Sequence, residues 1–369
     1  MMKKIISLIL VTTIIISAVC AGNFTSNIER LVGKNAEAYA MPLLDGFGSS
    51  LNVGVYKKAS VSAGKLFPLG FDIGLVSMVT AVPSGQQSFK HDLDEFKFTL
   101  NLSSEIDDLS DLEMNFSDIY KTDKDRTPNI AGKGDGVNCT MKEENVIFAN
   151  ISKKLLALGV SQEVIESKED KIRDFIQNDL KNEYKDFSFP GGLGVENMGA
   201  VAIQTNFRFP FIGLEVSGRY LPSIKLSDEV GDIDLYGFGL RKSLPVPVID
   251  VTAGIFYQKM KIGDIFEFNS NLFHLEAGKS LELPLLFQFS PYVGLGYSQS
   301  EASLRYTITK GEIPGVNKDK KVEYDLDSDG QMIFTMGLTA QIIPFTYINF
   351  EFNQSEYSSF GLNLGIIIK

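Results

Sequence analysis

Hydrophobic and polar residues alternate along most of the chain after residue 198, a pattern that predicts half-buried β-strands. Around 348–353, for example, Ile348, Phe350 and Phe352 share one face, and asparagine or glutamate occupies the other. Ten segments of this region are predicted strands: 199–209, 211–221, 232–242, 249–261, 266–280, 286–300, 302–309, 331–343, 345–354 and 357–369. Earlier pieces at 51–59, 71–82 and 94–102 bring the expected number to about 12–14.

Two other regions follow the helical period. The first, 26–44, begins with a capping box formed by Ser26 and Glu29, and Pro42 then starts a second short turn that ends at the glycines of 46–48. The second, 143–184, holds two amphipathic helices with strongly charged outer faces, separated at Gly159. Together with the acidic, polar stretch 104–140 it predicts a solvated insertion over residues 104–190.

The predicted fold is all-β: an antiparallel transmembrane β-barrel with a short N-terminal helical segment and a helical insertion. The strands are long, their apolar faces carry large residues throughout, and their polar faces mix charges with glycines, as in a wet lumen. A soluble β-sandwich also alternates and is the competing architecture. The uncharged stretch 330–350 could be taken for a membrane helix, but Pro344 and the polar residue at every second position favour two strands joined at Ile343-Pro344.

The first residues predict export. Lys3 and Lys4 precede an uncharged apolar stretch, and Val19-Cys20-Ala21 fits a cleavage site, so residues 1–21 are a predicted signal peptide. Residues 22–50 then form the N-terminal helical segment, and 51–369 form the barrel with its insertion. The expected location is the outer membrane of a Gram-negative bacterium, with the barrel-assembly machinery as a partner during biogenesis and outer-membrane lipid around the wall.

The composition and the spacing of key residues argue against several kinds of partner and site. Removal of Lys3 and Lys4 leaves 33 basic against 46 acidic residues and changes the net charge from −11 to −13, which argues against nucleic acid as a partner. Of the two cysteines, only Cys139 lies outside the predicted signal peptide, so an internal disulfide is excluded. No cysteine and histidine cluster supports a zinc site, the cluster Gly191-Gly192-Leu193-Gly194 lacks nucleotide-binding spacing, and no cofactor is expected.

Polar side chains that lie on the same, inward face of their predicted strands form the candidate lumen site. We predict that they form either a structural network that closes the interior or a polar constriction that selects a solute. The candidates are Gln204, Asn206, Arg208, Glu215, Arg219, His274 and Glu276.

Two of these candidates also raise the question of catalysis. His274 and Glu276 would suit a nucleophile–histidine–acid arrangement, but no partner serine is identifiable, so a hydrogen-bonding role in the lumen is favoured and an enzyme is not expected. A lipid-acting enzyme is the third functional candidate; it predicts that His274→Ala abolishes hydrolysis while the barrel still folds.

The helical segment 26–44 is a candidate plug, with Ile28, Leu31 and Leu44 touching apolar patches in the lumen; alternatively it lies across the periplasmic mouth. Asp325, Asp327 and Asp329 resemble the opening of a calcium loop, but Met336 stands where the bidentate glutamate belongs. An acidic hairpin tip is favoured, with loose divalent-cation binding as the weaker alternative.

Several short motifs, in their order along the chain, are similar to a family of exported bacterial proteins. They are Asn35–Tyr39, Pro42-Leu43, Leu51–Gly54, Phe71–Gly74, Thr127–Ile130, Phe189–Gly192, Arg219–Pro222 and Tyr236–Gly239. The family is a domain of unknown function grouped with outer-membrane β-barrels, and the resemblance implies barrel and location but no activity. The architecture also resembles the barrels that import fatty acids and aromatic hydrocarbons, although Ile366–Lys369 departs from the usual aromatic end of such chains.

The leading functional hypothesis is a porin-like, non-enzymatic barrel that binds or passes a small, hydrophobic solute. The main alternative is a structural or surface-binding barrel acting through its long loops, 104–140 and 143–184. A soluble periplasmic β-sandwich that binds a ligand is a further alternative.

Overall fold

The computed structural model describes residues 26–61, 69–107, 109–227, 231–283, 287–311, 313–314, 316, 318–343 and 345–368. The predicted signal peptide, residues 1–21, and the turn residue Pro344 lie outside these ranges.

Ten strands form a closed antiparallel barrel, which confirms the predicted fold class. Each strand pairs with the next along the chain, and the ring closes where the first strand pairs with the last, Phe71 opposite Ile368. The barrel strands are β1 Gly70–Ala81, β2 Asn197–Phe209, β3 Leu214–Ser227, β4 Gly231–Leu244, β5 Asp250–Ile262, β6 Phe266–Gly278, β7 Phe287–Ile308, β8 Gln331–Ile343, β9 Thr346–Gln354 and β10 Ser358–Ile368. Two further strands, Leu281–Leu283 and Lys320–Asp327, pair only with the ends of β7.

The barrel has ten strands, fewer than the about 12–14 expected from alternation. The segment 51–59 lies inside the lumen as turns and irregular chain. Residues 97–100 pair with 112–115 outside the barrel, and the pieces 286–300 and 302–309 form the single strand β7. The predicted strands 331–343 and 345–354 are observed as the hairpin β8–β9, which confirms the two-strand interpretation of 330–350.

Residues 82–196, which join β1 to β2, form a compact unit that we call the cap. Helix α1, Gly33–Ser50, precedes the first barrel strand. The helices of the cap are α2 Leu102–Glu105, α3 Phe116–Ile119, α4 Glu144–Ala157, α5 Gln162–Ser167, α6 Glu169–Phe175 and α7 Lys181–Glu183, with a π-helix at Ile176–Leu180 and 3-10 turns at Ser84–Gln86 and Leu93–Glu95. Its short strands are Ser88–Lys90, Lys97–Leu100, Leu112–Asn115, Tyr120–Thr122, Arg126–Pro128, Asn138–Met141 and Phe187–Ser188. The loop predicted at 104–140 therefore contains regular structure. None of the helices in the described ranges combines the length and apolar composition needed to span a bilayer.

Helix α1 differs from the two short helical pieces expected over 26–48. The chain breaks at Gly33, whose φ is +54°, and then continues as one helix through Pro42 to Ser50. Gly46 faces the Met198 side chain and Gly48 faces Ser300, so close that a Cβ at either position would lie under 3 Å from them. The glycines thus let α1 approach the barrel wall and do not end the helix.

The two ends of the barrel differ. The cap and the polar connections of β5–β6, β7–β8 and β9–β10 lie at one end, where β3 also ends and β4 begins; we call this the cap end. The start of β1, the finish of β10 and the short connections of the other four hairpins lie at the opposite end, the turn end. Barrels in the outer membrane have short turns on the periplasmic side and longer loops outside.

Candidate functional site in the barrel lumen

The lumen is occupied by residues 26–61, which we call the plug. The plug begins beside the cap, enters the barrel at the cap end as α1, and continues as irregular chain over 51–61, every residue of which is buried. It therefore passes through the barrel interior toward the turn end, where β1 starts.

Helix α1 occupies the half of the lumen nearest the cap, where much of the wall is apolar. Leu43, Leu44 and Phe47 are buried there, and the Phe47 ring lies 6.2 Å from that of Phe266 on β6. The apolar inward-facing wall residues in this half are Val76, Met78, Met198, Ala200, Ala202, Leu235, Met260, Phe266, Phe268, Ala302 and Leu304. Burial of these side chains against α1 stabilises the plug in its position.

In the other half of the lumen, wall side chains bind the plug backbone. Arg219 Nη1 donates to the carbonyl oxygen of Leu51 at 2.5 Å and its Nη2 donates to that of Val53 at 3.0 Å. Gln204 Nε2 donates to the Val55 carbonyl at 2.6 Å, and the Gln204 Oε1 in turn accepts from Arg219 Nη2 at 2.7 Å. These bonds replace the strand pairing that the alternation at 51–59 predicted, because the polar backbone of a buried segment must find partners.

A chain of buried ion pairs runs around the wall of this half. Asp72 on β1 bonds Lys57 of the plug and Arg208 on β2. Arg208 continues to Glu215 on β3 at 2.6 Å. Arg241 on β4 then joins Glu215 at 2.7 Å to Glu276 on β6 at 2.8 Å.

The ion pairs also involve the plug, because Arg241 Nη1 donates to the carbonyl oxygen of Lys58 at 2.5 Å. With Lys57 bound to Asp72, the adjacent residues Lys57 and Lys58 of the plug are both held in the network, Lys57 through its side chain and Lys58 through its carbonyl group. Buried charges of this kind are stable only when each has a partner of opposite sign and its hydrogen bonds are satisfied.

Glu351 on β9 holds the middle of the plug. Its Oε1 accepts from the backbone N–H of Gly54 at 2.8 Å, and its Oε2 accepts from the Tyr292 hydroxyl at 2.6 Å. Asn353 Nδ2 donates to the carbonyl of Asn52 at 3.2 Å. Strands on opposite sides of the ring therefore fix the same few plug residues.

All seven candidate lumen residues face the interior and are buried. The structure places Gln204 with Arg219, and Asn206, Arg208, Glu215 and Glu276 in or beside the ion-pair network. His274 Nε2 lies 3.1 Å from the Thr335 hydroxyl, and its Nδ1 lies 3.4 Å from Glu276. The hydroxyl group beside the His274 ring therefore belongs to a threonine and not to a serine.

Sequence reasoning missed three members of this network. Asp72 and Arg241 have the inward parity of their strands, and extending the parity count to β1 and β4 would have found them. Lys57 could not be found in this way, because 51–59 was assigned to the wall and not to the plug.

The candidate plug residues are all fully buried but lie in different surroundings. Leu44 is on α1 within the barrel mouth. Ile28 and Leu31 precede α1 and join the hydrophobic core shared with the cap, where the Leu31 carbonyl accepts from Tyr306 at 2.8 Å. Asn27 Nδ2 and the Tyr39 hydroxyl both donate to the carbonyl of Gly191, each at 3.1 Å, so plug and cap are joined directly.

The acidic motif lies on the strand Lys320–Asp327 and the turn after it. Asp325 and Asp327 pair there with Ser303 and Glu301 of β7, and Asp329 follows the strand. Among the described residues, no group of three or more histidine, cysteine, aspartate or glutamate side chains is placed to share a metal ion.

The packing leaves little free space beside the ion pairs. A cavity of about 20 Å³ is lined by residues that include Lys57, Asp72, Arg208, Thr339 and Tyr347. A volume of that size holds about one water molecule. This cavity has no room for a solute larger than water.

Comparison with solved structures found bacterial barrels at very low identity. The β domain of the Bordetella autotransporter BrkA is 8% identical, with 80% of this chain and 98% of that chain covered and a TM-score of 0.30. The loop L8 deletion mutant of OmpT, an outer membrane protein of Vibrio cholerae, is 9% identical over 81% and 99% of the two chains, with a TM-score of 0.23. OccK2 (OpdF) of Pseudomonas aeruginosa in complex with glucuronate is 7% identical over 81% and 97%, with a TM-score of 0.12.

Scores this low carry no argument about function, and the barrel is established here by its own strand pairing. No curated protein gave a significant match. A family profile matches residues 2–368, nearly the whole sequence, and the chain belongs to this family of unknown function (DUF6588).

Proposed function

We propose that the protein is a closed outer-membrane barrel that anchors and displays its cap at the cell surface, where the cap binds outside partners. The observation that carries this proposal is the plug: its backbone is hydrogen-bonded to the wall at Leu51, Val53, Val55 and Lys58. A lumen filled in this way serves as a rigid support. The outward position of the cap follows from the short connections at the turn end.

The outer surface of the barrel supports a membrane location. Large apolar side chains project from every barrel strand, among them Phe207, Phe238, Phe273, Phe334 and Phe350. A closed ring leaves no unpaired strand edge, which a bilayer requires.

Passage of a solute is the second candidate function. It is favoured by the polar, charged wall behind 51–61, which would line a wet channel if the plug moved out. The small, hydrophobic solute expected from the sequence has no apolar path through that half of the lumen, so a polar solute fits the wall better.

One disulfide experiment separates the two functions. The Oγ atoms of Ser49 in the plug and Ser355 in the β9–β10 connection lie 3.1 Å apart, so Ser49→Cys/Ser355→Cys should form a cross-link that locks the plug. The variant is made in a Cys139→Ala background, expressed without residues 1–21, and placed in planar bilayers. The control is the Cys139→Ala protein under the same oxidant and reductant.

We expect negligible conductance for the control and for the variant in both its oxidised, locked form and its reduced form, because a closed anchor passes no ions. If the control and the reduced variant conduct, and oxidation of the cysteine pair abolishes the conductance of the variant, the protein is a gated channel and the anchor proposal is overturned. Display is tested separately by protease digestion of the cap in intact cells; a cap that stays protected until the outer membrane is opened contradicts the proposed orientation.

A further inference from the structure

Three of the four connections at the turn end expose large apolar side chains. In the β2–β3 connection, Phe211 is 72% exposed and Ile212 is also exposed; in the β4–β5 connection, Val248 is 81% exposed and Val246 is exposed too. Phe345, between β8 and β9, projects outward as well. Exposed apolar residues that cluster at one end of a protein mark a contact surface.

The cap end does not share this property. Its β5–β6 connection presents Asp264, the end of β9 presents Gln354, and the β9–β10 connection presents Glu356, all exposed. The apolar character therefore belongs to three of the turn-end connections, because the fourth, β6–β7, exposes Lys279 and Glu282 beside Leu281.

Backbone conformation supports the same conclusion. Val248 and Phe345 are the non-glycine residues with positive φ among the described residues, at 77° and 72°. Glycine or asparagine adopts this conformation at less cost, and for a β-branched residue such as valine it is a true outlier. Both positions nevertheless carry large apolar side chains that face outward.

The length of the apolar band shows what these side chains contact. Toward the cap end, the outward faces of neighbouring strands carry exposed tyrosines at Tyr220, Tyr236 and Tyr297, in the manner of an aromatic girdle at a membrane interface. From Tyr236 to Leu244, the last residue of β4, the chain covers about 27 Å at ~3.4 Å per residue. At a tilt of about 40° this is roughly 20 Å along the membrane normal, less than the band of about 25 Å that barrels present to lipid.

We propose that the turn-end connections 210–213 and 245–249, together with Phe345, lie within the phospholipid leaflet on the periplasmic side. They adjoin the lipid-facing wall next to Lys242, an exposed β4 residue whose ammonium group donates to the carbonyl oxygen of Ile212, and they add length to the apolar band. The partner that fits this surface is the acyl region of a phospholipid bilayer. This inference rests on the proposed membrane location and adds the depth at which the barrel sits.

The absence of tryptophan from the chain makes a clean test available. Single tryptophans are introduced as Phe211→Trp and Val246→Trp at the turn end, Phe238→Trp on the wall, and Asp264→Trp at the cap end. Each protein is reconstituted in vesicles of phosphatidylethanolamine and phosphatidylglycerol, with or without bromine atoms on the acyl chains. We expect the two turn-end tryptophans to emit at short wavelength and to lose about half of their emission to brominated lipid, as the wall tryptophan does.

The control variants distinguish failure of this inference from failure of the proposed membrane location. Asp264→Trp should respond to acrylamide in the water and not to brominated lipid. If Phe238→Trp is quenched by lipid but Phe211→Trp and Val246→Trp respond only to acrylamide, the turns lie in water and the inference is overturned. Short-wavelength emission at the turns without lipid quenching indicates a protein contact and overturns it as well. If Phe238→Trp itself is not quenched, the membrane location fails and the inference fails with it.

Discussion

Arg219 on the wall lies 2.5 Å from the carbonyl oxygen of Leu51 in the plug. The guanidinium is buried, and its partners in the lumen are two plug carbonyls, the side-chain oxygens of Gln204 and Gln258, and the sulfur of Met78. A cation held in this way by neutral acceptors fixes the plug through its backbone, whatever side chains the plug carries.

Arg219→Met should loosen the plug. It leaves the Leu51 and Val53 carbonyls without a strong donor, at a cost of about 1–3 kcal/mol each. We expect a lower urea midpoint and trypsin cleavage after Lys57 and Lys58, which are buried in the native protein. Arg305→Met, at an exposed position, is the control and should change stability by less than about 0.5 kcal/mol. Equal trypsin resistance of both variants would contradict the anchoring role of Arg219.

Removing Asp72 should cost more than removing Lys57. Asp72→Asn leaves both Lys57 and Arg208 without their shared carboxylate, a loss of about 3–5 kcal/mol, whereas Lys57→Met leaves Asp72 paired with Arg208. The free energy of unfolding of the two variants and of the double variant measures the coupling. A smaller effect of Asp72→Asn than of Lys57→Met would show that the network does not work as a connected chain.

Gly361 on β10 is required for the plug to fit. A Cβ there would lie 2.2 Å from Val53 Cγ1, so Gly361→Ala should destabilise the plug by about 1–3 kcal/mol. Gly85→Ala, where a Cβ meets nothing within 4 Å, is the matched control. The double variant Val53→Ala/Gly361→Ala should recover most of the urea midpoint, and no recovery would place the conflict elsewhere.

Asp45 on α1 should make docking of the plug pH-dependent. Burial, with smaller contributions from Glu356 and Asp329, raises the pKa of this carboxyl group from 3.8 to about 7. The folded state thus favours the protonated form, so the stabilising contribution is complete below about pH 4 and is lost as the pH rises toward 7. The urea midpoint should fall over this window, and Asp45→Asn should reduce the fall; Glu163→Gln, on the exposed surface of α5, should not.

Cys139 should be unreactive in the folded protein. The thiol is buried in the cap, and burial raises its pKa to about 12, with the nearby Asp123 and Asp186 contributing in the same direction. Iodoacetamide at pH 8 should modify it slowly in buffer and completely in urea, because the thiolate is the reacting form. Rapid labelling without urea would mean that the core of the cap opens easily.

Alternation along single strands was enough to predict the barrel and the inward direction of Glu215 and Arg219. It could not reveal which side chains meet across strands, since the network between Asp72, Arg208 and Glu215 depends on pairing register. The segment 51–59 was misassigned for a physical reason: its hydrophobic pattern is that of a strand, but its hydrogen-bond partners are side chains such as Arg219 and Gln204 from distant parts of the chain. Tertiary contacts of this kind override a local pattern.

The plug also constrains the order of assembly. It precedes β1 in the chain, and β1 closes the ring with β10, strands separated by almost the whole length of the barrel sequence. A ring already sealed would have to admit a helix and a further irregular segment through its mouth and release the chain at the far side. Closing the β1–β10 seam around a plug already in place avoids that passage.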